Sequence, residues 1–377
     1  MTYYLIAGEK SGDLHGGNLI KALSALDPQA KFLGFGGDEM QKAGMQLTVH
    51  YRQMAFMGVV QAILNFRKIF KWLSLCREDI LYIKPDVIIL IDYGGFNMRI
   101  ASMAKKHGLK VFYYISPKVW AWNVNRAWKL KATVDRMFCI LPFEKDFFKK
   151  FDWEVDYVGN PVLDAVKSFR PQTDFLNFNK LEGKSNLIAI LPGSRKIELL
   201  RMTDLLVPIT KKFPHYHFVV AAIRELDEKL YEPYKNLSNV SFVYDSTYDL
   251  LKHAHAAIVT SGTATLETGL FKVPQAVVYK ASALEYAIGS RLVKVDYISL
   301  VNLIANKPVL KEFIQQDANT KAVSSELTKL MEDEPYRQTM LKYYDEVYTM
   351  LDIGSASAVA AQKMIEYLGN NSNQKLV

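Results

Sequence analysis

Residues 260–267 read Thr260-Ser-Gly-Thr-Ala-Thr-Leu-Glu267 and come directly after the apolar run Ala256–Val259. The run predicts a buried strand, and the residues from Thr268 onward have helical character. A strand, a small-residue turn and a helix start therefore follow one another here. N–H groups and the positive end of the helix dipole converge at such a turn, and Gly262 leaves room for a ligand. We expect an anion at this turn, and a diphosphate fits it.

Glu267 lies four residues after Thr263, on the same helical face. In that position its carboxylate can accept hydrogen bonds from a ribose whose phosphates sit at the helix start. The alternative is an ordinary capped helix with a solvated surface glutamate.

The same pattern occurs earlier in the second half of the chain. The strand predicted over Asn186–Leu191 leads into Pro192-Gly-Ser-Arg195 and a helix from about Ile197. Arg195 adds a bidentate positive charge suited to a phosphate. Two anion-binding turns, Gly193–Arg195 and Ser261–Glu267, at one edge of one sheet together predict a nucleotide diphosphate.

The first half also alternates strands, glycine turns and helices, which predicts a parallel doubly wound sheet. One glycine turn, Gly8–Asp13, precedes a helix expected from about Leu14. The apolar run Val87–Ile91 predicts a central strand that ends at Asp92. Because ligands bind at the carboxyl ends of parallel strands, Asp92 is the best candidate for a general base. The alternative is a helix-capping role, which falls more often to an asparagine such as Asn97.

The 377 residues are 50% hydrophobic and 12% aromatic, enough for two packed cores. A net charge of +8 favours an acidic partner. We expect no nucleic acid, because no RNA-binding motif or zinc-finger spacing occurs. Without an apolar run near 18 residues or a signal peptide, the chain is expected to be cytoplasmic. Cys76 and Cys139 are expected to be core thiols.

Changes in pattern predict the domain boundaries. Residues 1–165 form a first Rossmann-like domain, 166–185 a polar linker, and 186–350 a second Rossmann-like domain. A terminal helix over 351–368 is expected to pack back on the first domain, and 369–377 to form a tail.

A long helical pattern over residues 59–84 has an apolar stripe between basic residues. We favour a sheet-covering helix for the stripe itself. Phe70 and Trp72 lie beside lysines and arginines, as in segments that contact a membrane surface. The part from Asn65 to Lys84 is therefore the candidate for peripheral membrane contact.

Stretches distributed through both halves resemble the lipid-A-disaccharide synthases, inverting glycosyltransferases of the GT-B type with two Rossmann-like domains facing a cleft. Single motifs are weak, but their order and coverage from residue 5 to about 310 are specific. The matching stretches are Ala7–Asp13, Gly36–Met40, Met57-Gly58, Ile91-Asp92 with Phe96-Asn97, Ser116–Trp122, Leu141–Glu144, Leu191–Arg195, Ser261–Glu267 and Ser299–Asn302.

The resemblance implies transfer of the sugar of UDP-2,3-diacylglucosamine to the 6-hydroxyl of 2,3-diacylglucosamine 1-phosphate, with no metal or cofactor. Asp92 is then the base, and Arg195 stabilises the departing diphosphate. The implied UDP site consists of Gly193, Ser194, Arg195, Ser261, Gly262, Thr263, Ala264, Thr265, Glu267 and Asn302. The acceptor site consists of Glu9, Ser11, Asp13, Asn97 and Trp120.

The chain departs from the family pattern at Gln61, at Gly94-Gly95 and at Val301. Two alternatives therefore stay open, a UDP-sugar 2-epimerase on the same architecture and a non-catalytic UDP-sugar or lipid-binding protein. The acylated substrates reside in a membrane, so the resemblance implies a peripheral protein on the inner membrane. A homodimer is kept as a candidate assembly.

Overall fold

The structure, a computed structural model, describes residues 1–54, 66–282, 286 and 295–369. The chain divides into two units. Unit 1 is Met1–Pro161 with Ile353–Val377, and unit 2 is Val162–Asp352. Each unit is built on one parallel β-sheet, which confirms the predicted α/β fold class.

Unit 1 contains a seven-stranded sheet in the order β3-β2-β1-β4-β5-β6-β7, with every neighbouring pair parallel. Apolar runs form the central strands β1 and β4, because both faces of these strands are covered by helices. The strands are β1 (Thr2–Ala7), β2 (Lys31–Gly36), β3 (Gln46–His50), β4 (Val87–Ile91), β5 (Val111–Tyr114), β6 (Arg136–Cys139) and β7 (Asp156–Tyr157).

Two hydrophobic clusters lie on the two faces of this sheet. One contains side chains of α3, α4, α5 and α6, and the other contains side chains of α1, α2 and α16. The buried Cys76 and Cys139 belong to the first cluster and are free thiols. The helices of unit 1 are α1 (Lys10–Leu26), α2 (Asp38–Lys42), α3 (Phe66–Ile83), α4 (Gly94–Lys106), α5 (Arg126–Thr133), α6 (Glu144–Lys149) and, from the chain end, α16 (Ala356–Gly369).

The terminal helix α16 lies in unit 1, where it packs against α1. Its small residues Ala360 and Ala361 and its Met364 are fully buried in the cluster with α1. Small side chains let the two helix backbones approach closely, so the last helix completes the core of the first sheet.

Unit 2 contains a six-stranded sheet in the order β10-β9-β8-β11-β12-β13, again parallel throughout. The edge strand β13 has no recognisable strand pattern in the sequence. Its three residues are too few for a visible alternation of apolar and polar side chains. The strands are β8 (Leu187–Leu191), β9 (Phe218–Ala222), β10 (Val240–Tyr244), β11 (Ala254–Thr260), β12 (Gln275–Tyr279) and β13 (Glu312–Ile314).

The segment expected to be a linker, residues 166–185, belongs to unit 2. Phe175 and Leu181 are buried in the core beside β8 and β11. The polar residues around Phe175 and Leu181 made the segment resemble a linker, so the sequence did not indicate that these two side chains are buried. The helices of unit 2 are α7 (Pro161–Ser168, with Pro161 in unit 1), α8 (Phe175–Phe178), α9 (Lys196–Lys212), α10 (Glu232–Lys235), α11 (Thr247–His253), α12 (Thr263–Leu270), α13 (Leu300–Ala305), α14 (Thr320–Glu332) and α15 (Glu334–Leu351).

Helix α3 covers the sheet of unit 1, as its apolar stripe suggested. Cys76 and Ile80 are fully buried, whereas Phe70 and Tyr82 are exposed. Gln61, Met57-Gly58 and Asn65 lie outside the described residues. Within the described ranges, no helix combines the length and apolar character needed to cross a bilayer.

Gly34 has a backbone conformation that only glycine adopts easily. Its φ is +134°, and a Cβ built there would lie 2.1 Å from the carbonyl oxygen of Leu5 on the neighbouring strand. We therefore expect Gly34→Ala to lower the free energy of unfolding by about 3 kcal/mol or more, through backbone strain and overpacking. Chemical denaturation followed by circular dichroism measures this loss.

Gly44 is the matched control, because its φ is +105° but a Cβ there would meet nothing within 4 Å among the described residues. Gly44→Ala should cost only the strain, about 1 kcal/mol. Equal losses for the two variants would contradict the steric account of Gly34.

Candidate active site

Asp92 follows β4 at the carboxyl end of the central strands of unit 1. Its φ is +45° and that of Tyr93 is +47°, so two consecutive residues adopt a left-handed conformation. The Asp92 carbonyl oxygen accepts hydrogen bonds from the Tyr113 hydroxyl at 2.6 Å and from Asn97 Nδ2 at 2.9 Å. The Asp92 N–H donates to the Tyr114 carbonyl at 3.2 Å. These bonds fix an unfavourable backbone, a feature that is concentrated at functional sites.

The carboxyl group of Asp92 is in a setting that changes its pKa. Burial raises this pKa, the positive charge of Lys118 lowers it, and the negative charge of Glu9 raises it. The net direction is upward. A raised pKa makes a carboxylate a better proton acceptor, so the site suits Asp92 to general-base chemistry.

Glu144 organises the loop that carries Lys118. The residue is only 1% exposed, and its carboxyl group accepts bonds from Leu141 N–H at 2.9 Å and Ile140 N–H at 3.2 Å. It also accepts bonds from Ser116 Oγ and from Trp120 Nε1, the latter at 3.2 Å. Burial raises the Glu144 pKa to about 7, and its four donors act in the opposite direction.

Trp120 is therefore buried and held by Glu144, whereas the nearby Trp122 is exposed. Sequence reasoning predicted Trp120 for the acceptor site and gave Glu144 no role. Both residues lie in stretches that carry the family resemblance. The pairing between the two stretches is a tertiary contact across 24 positions, which the sequence alone does not show.

The three acceptor-site residues predicted on the Gly8–Asp13 turn do not all lie on a turn in the structure. Helix α1 begins at Lys10, earlier than expected, so Ser11 and Asp13 lie within it. Glu9 is its N-cap residue, and both Glu9 and Ser11 are exposed.

Asp13 is buried and serves as the cap of α2. Its carboxylate accepts N–H bonds from Gly37 at 2.8 Å and from Glu39 and Met40 at 3.0 Å. Asn97 is buried as well. Helix α4 begins before Asn97, at Gly94. The Asn97 side chain therefore does not cap the helix and instead donates to backbone carbonyls.

In unit 2, the turn Gly193–Arg195 is already occupied by a carboxylate. Glu198 Oε2 accepts N–H bonds from Ser194 at 2.9 Å and from Arg195 at 3.2 Å. The other oxygen of Glu198 lies 3.5 Å from Nη1 of Arg195, whose side chain is 64% exposed. The N–H groups of Ser194 and Arg195 are thus satisfied, and the guanidinium of Arg195 is exposed.

The second turn of unit 2 is open. Helix α12 begins at Thr263, and Gly262 and Thr263 are exposed. A Cβ at Gly262 would meet nothing within 4 Å among the described residues. The first N–H groups of a helix have no partner within that helix, so they are available to an anion. Ser261 and Thr265 face inward, where Ser261 Oγ donates to Ile298 and Thr265 Oγ1 to Gly262.

The two turns lie at neighbouring positions of one sheet edge. Strands β8 and β11 are adjacent and parallel, with Leu191 paired to Val259 near their carboxyl ends. The structure therefore brings Arg195 and the start of α12 to the same edge of unit 2. Ala264, in the first turn of α12, is half-buried.

Glu267 and Asn302 have different surroundings. The Glu267 carboxylate accepts a 2.8 Å bond from the Tyr248 hydroxyl, and burial raises its pKa. Asn302 is buried and its side chain is fully used by Leu310 and Glu312, with distances of 2.9 to 3.0 Å. Glu267 retains a free oxygen for a ligand in the described part of the chain, whereas Asn302 holds the loop before β13.

The family model described as Lipid-A-disaccharide synthetase matches residues 3–364. The lipid-A-disaccharide synthase of Geobacter metallireducens is 34% identical over 371 residues, which cover 97% of each chain. This chain belongs to the lipid-A-disaccharide synthase family. As a member of the lipid-A-disaccharide synthase family, it is an enzyme that transfers a hexose in lipid A biosynthesis.

Solved structures share the fold of this lipid-A-disaccharide synthase family member. CalG4, the calicheamicin glycosyltransferase, has a TM-score of 0.64 at 14% identity and covers 98% of both chains. The UDP-GlcNAc 2-epimerase from Neisseria meningitidis, bound to UDP-GlcNAc, has a TM-score of 0.63 at 15% identity and covers 98% of this chain and 100% of its own. These likenesses confirm a GT-B fold. Because both a glycosyltransferase and an epimerase share this fold, the fold does not show which reaction the chain catalyses. The family match identifies it as a transferase.

A substitution at Glu144 tests whether its hydrogen bonds stabilise the loop that carries Lys118. A glutamine at position 144 has one acceptor oxygen and an amide N–H2 that would face donors. We expect Glu144→Gln to lower the free energy of unfolding by about 2 to 4 kcal/mol, because buried donors lose their acceptor. Urea denaturation measures the change, and Glu154→Gln, at an exposed glutamate of unit 1, is the control. Similar stability of both variants would contradict the network.

Proposed function

We propose that the protein joins UDP-2,3-diacylglucosamine to 2,3-diacylglucosamine 1-phosphate, forming the β-1′,6-linked disaccharide phosphate and UDP. The observation that carries this proposal is the family match over nearly the whole chain. A UDP-sugar in the fold neighbour from Neisseria meningitidis also supports a UDP-sugar as ligand. The substrates are those implied by the family's activity.

Unit 2 is proposed to bind the UDP part of the donor. The start of α12 offers open N–H groups and the positive end of a helix dipole, so we assign the diphosphate to Gly262, Thr263 and Ala264. Arg195, exposed at the neighbouring turn, supplies the positive charge that stabilises the departing diphosphate. Glu267 accepts hydrogen bonds from the ribose, while Tyr248 holds its other oxygen.

The family resemblance assigned five further residues to this site, and their contacts indicate supporting roles; one of them, Asn302, holds the loop before β13. Gly193 and Ser194 shape the turn that presents Arg195: Ser194 N–H donates to Glu198, and Gly193 leaves room for the Glu198 side chain. Ser261 and Thr265 fix the start of α12 through their inward bonds.

Unit 1 is proposed to supply the base. The Asp92 carboxylate accepts the proton of the acceptor's 6-hydroxyl as that oxygen attacks the anomeric carbon of the donor. The bond from the anomeric carbon to the diphosphate breaks, and UDP leaves with the electron pair. Attack opposite to the leaving group inverts the configuration. Exposed Glu9 and Ser11, which flank the same strand edge, are candidates for acceptor contacts.

Incubation with both acylated substrates in detergent, without added divalent metal, tests the proposed reaction. We expect UDP and disaccharide in equal amounts from the unmodified protein. Asp92→Asn should lower kcat roughly 100-fold or more, because a positioned base contributes about that factor. UDP affinity should stay unchanged, since UDP is assigned to unit 2.

Two results would contradict this assignment. Disaccharide formation at the unmodified rate by Asp92→Asn would remove Asp92 as the base. UDP release without disaccharide, or release of a free 2-epimerised sugar, would contradict the transferase reaction itself.

The pH dependence of kcat/KM tests the electrostatics of Asp92. Asp92 is active only when ionised, so activity falls as pH drops through its pKa, and burial moves this limb above the pH of an ordinary aspartate. Because Lys118 lowers the Asp92 pKa, Lys118→Met should move the acid limb to higher pH. Lys118→Arg keeps the charge and should leave the limb in place. An unmoved limb in Lys118→Met would refute the influence of Lys118.

We also propose that the protein docks peripherally on the inner membrane, where acylated substrates reside. Support comes from the solvent-facing side of α3. Phe70 is 62% exposed there, with Lys68, Lys71 and Arg77 also exposed. An apolar side chain among cations suits the interface of an anionic membrane.

A further inference from the structure

A second basic and aromatic surface of unit 1 lies apart from α3. Residues 118–134 carry Lys118, Arg126, Lys129 and Lys131 and no aspartate or glutamate. This stretch comprises the end of the loop after β5 and all of α5. Its charge is one-sided, whereas most helices of the chain mix both signs.

Two tryptophans on this stretch are exposed to solvent. Trp122 is 44% exposed and Trp128 is 51% exposed. The guanidinium of Arg126 lies 4.7 Å from the Trp122 ring centroid, and the Lys131 ammonium lies 5.6 Å from that of Trp128. Each indole is therefore paired with a cation at the surface.

The helix that carries these side chains is firmly anchored. Ala127 and Leu130 of α5 are fully buried in the core beneath it. The Trp128 ring packs edge-on against Phe151 at a centroid distance of 5.2 Å, and Lys131 donates to the Phe151 carbonyl at 3.0 Å. The exposed side of Trp128 is thus held in place, so little ordering entropy is lost when a partner covers it.

The chemistry of this surface matches one partner best. Indole rings have an apolar body and one N–H donor, and they favour the boundary between lipid headgroups and acyl chains. Clustered lysines and arginines next to them bind anionic headgroups. Helix α4 packs against both α3 and α5, so both surfaces belong to one helical layer on the same face of the sheet.

We propose that α5 and the preceding loop, residues 118–125, which carries Trp122, form a second membrane contact of unit 1. This contact binds the anionic surface of a bilayer. This proposal rests on the peripheral docking proposed above and extends it from α3 to α5. Docking through two helices of one layer fixes the orientation of unit 1 on the membrane, which a single helix does not.

Sedimentation with lipid vesicles tests the proposal. The vesicles contain phosphatidylcholine alone or phosphatidylcholine mixed with phosphatidylglycerol. We expect the unmodified protein to bind the anionic vesicles and to be released by salt. Lys129→Glu should weaken this binding roughly tenfold, because each cation near an anionic surface contributes about that order once its charge is reversed. Trp128→Ser should weaken binding to the same vesicles.

Lys129 is exposed and is assigned no role in the reaction, so its substitution should leave the fold and turnover on detergent-dispersed substrates unchanged. Lys321→Glu makes the same charge change at an exposed position of unit 2 and is the control. Its binding should equal that of the unmodified protein.

Unchanged vesicle binding by both Lys129→Glu and Trp128→Ser would overturn the proposal. If Phe70→Ser lowered vesicle binding while Lys129→Glu and Trp128→Ser did not, the α5 contact would be refuted and docking through α3 would be supported. A loss of turnover in detergent by Lys129→Glu, with vesicle binding retained, would assign this surface to the reaction and also overturn the membrane contact. Disaccharide formation in detergent tests the proposed reaction separately.

Discussion

Backbone N–H groups at the ends of parallel strands need acceptors, and in this chain carboxylates supply many of them. Asp13 accepts three such bonds at the start of α2, and Glu144 accepts two after β6. In unit 2, Glu198 accepts two at the start of α9, and Glu312 accepts two from Ile298 and Ser299. A carboxylate that accepts several N–H bonds is held in one place and rigidifies the loop. The loops at the candidate active site owe their shape to these bonds.

The hydrogen bonds of these carboxylates distinguish acidic residues with a structural role from the acidic residue proposed to act in the reaction. Asp13 and Glu144 are buried and their oxygens already accept hydrogen bonds, from the backbone at Asp13 and from the backbone, Ser116 and Trp120 at Glu144, so neither is placed to take a substrate proton. Asp92 is different, because its backbone carbonyl is held by Tyr113 and Asn97 while its carboxyl group is influenced mainly by burial and by charges. The fold thus fixes the position of this residue through its main chain, which is consistent with the proposed role of its side chain as the base.

Much of the fold could be predicted because parallel strands leave a local signal, a short apolar run followed by glycine or a helix start. The positions of Asp92 after β4 and of the turn around Gly262 after β11 were predicted in this way. The edge strand β13 was missed because it has only three residues. The core anchors Phe175 and Leu181 were missed because their polar neighbours resemble a linker. In each case the deciding contact is made with residues distant in sequence.

The candidate site was harder to predict than the fold, for a related reason. A sequence motif reports which residue types stand together, but not whether their polar atoms are already satisfied. Glu198 illustrates the difference, because the turn that precedes it has the residues of an anion site while the N–H groups of Ser194 and Arg195 are bonded to the Glu198 carboxylate. The start of α12 has a similar pattern and an open glycine. Since a bound diphosphate needs unsatisfied donors, the two turns are not equivalent, and this difference is why we propose the diphosphate at α12 with Arg195 as its neighbouring cation.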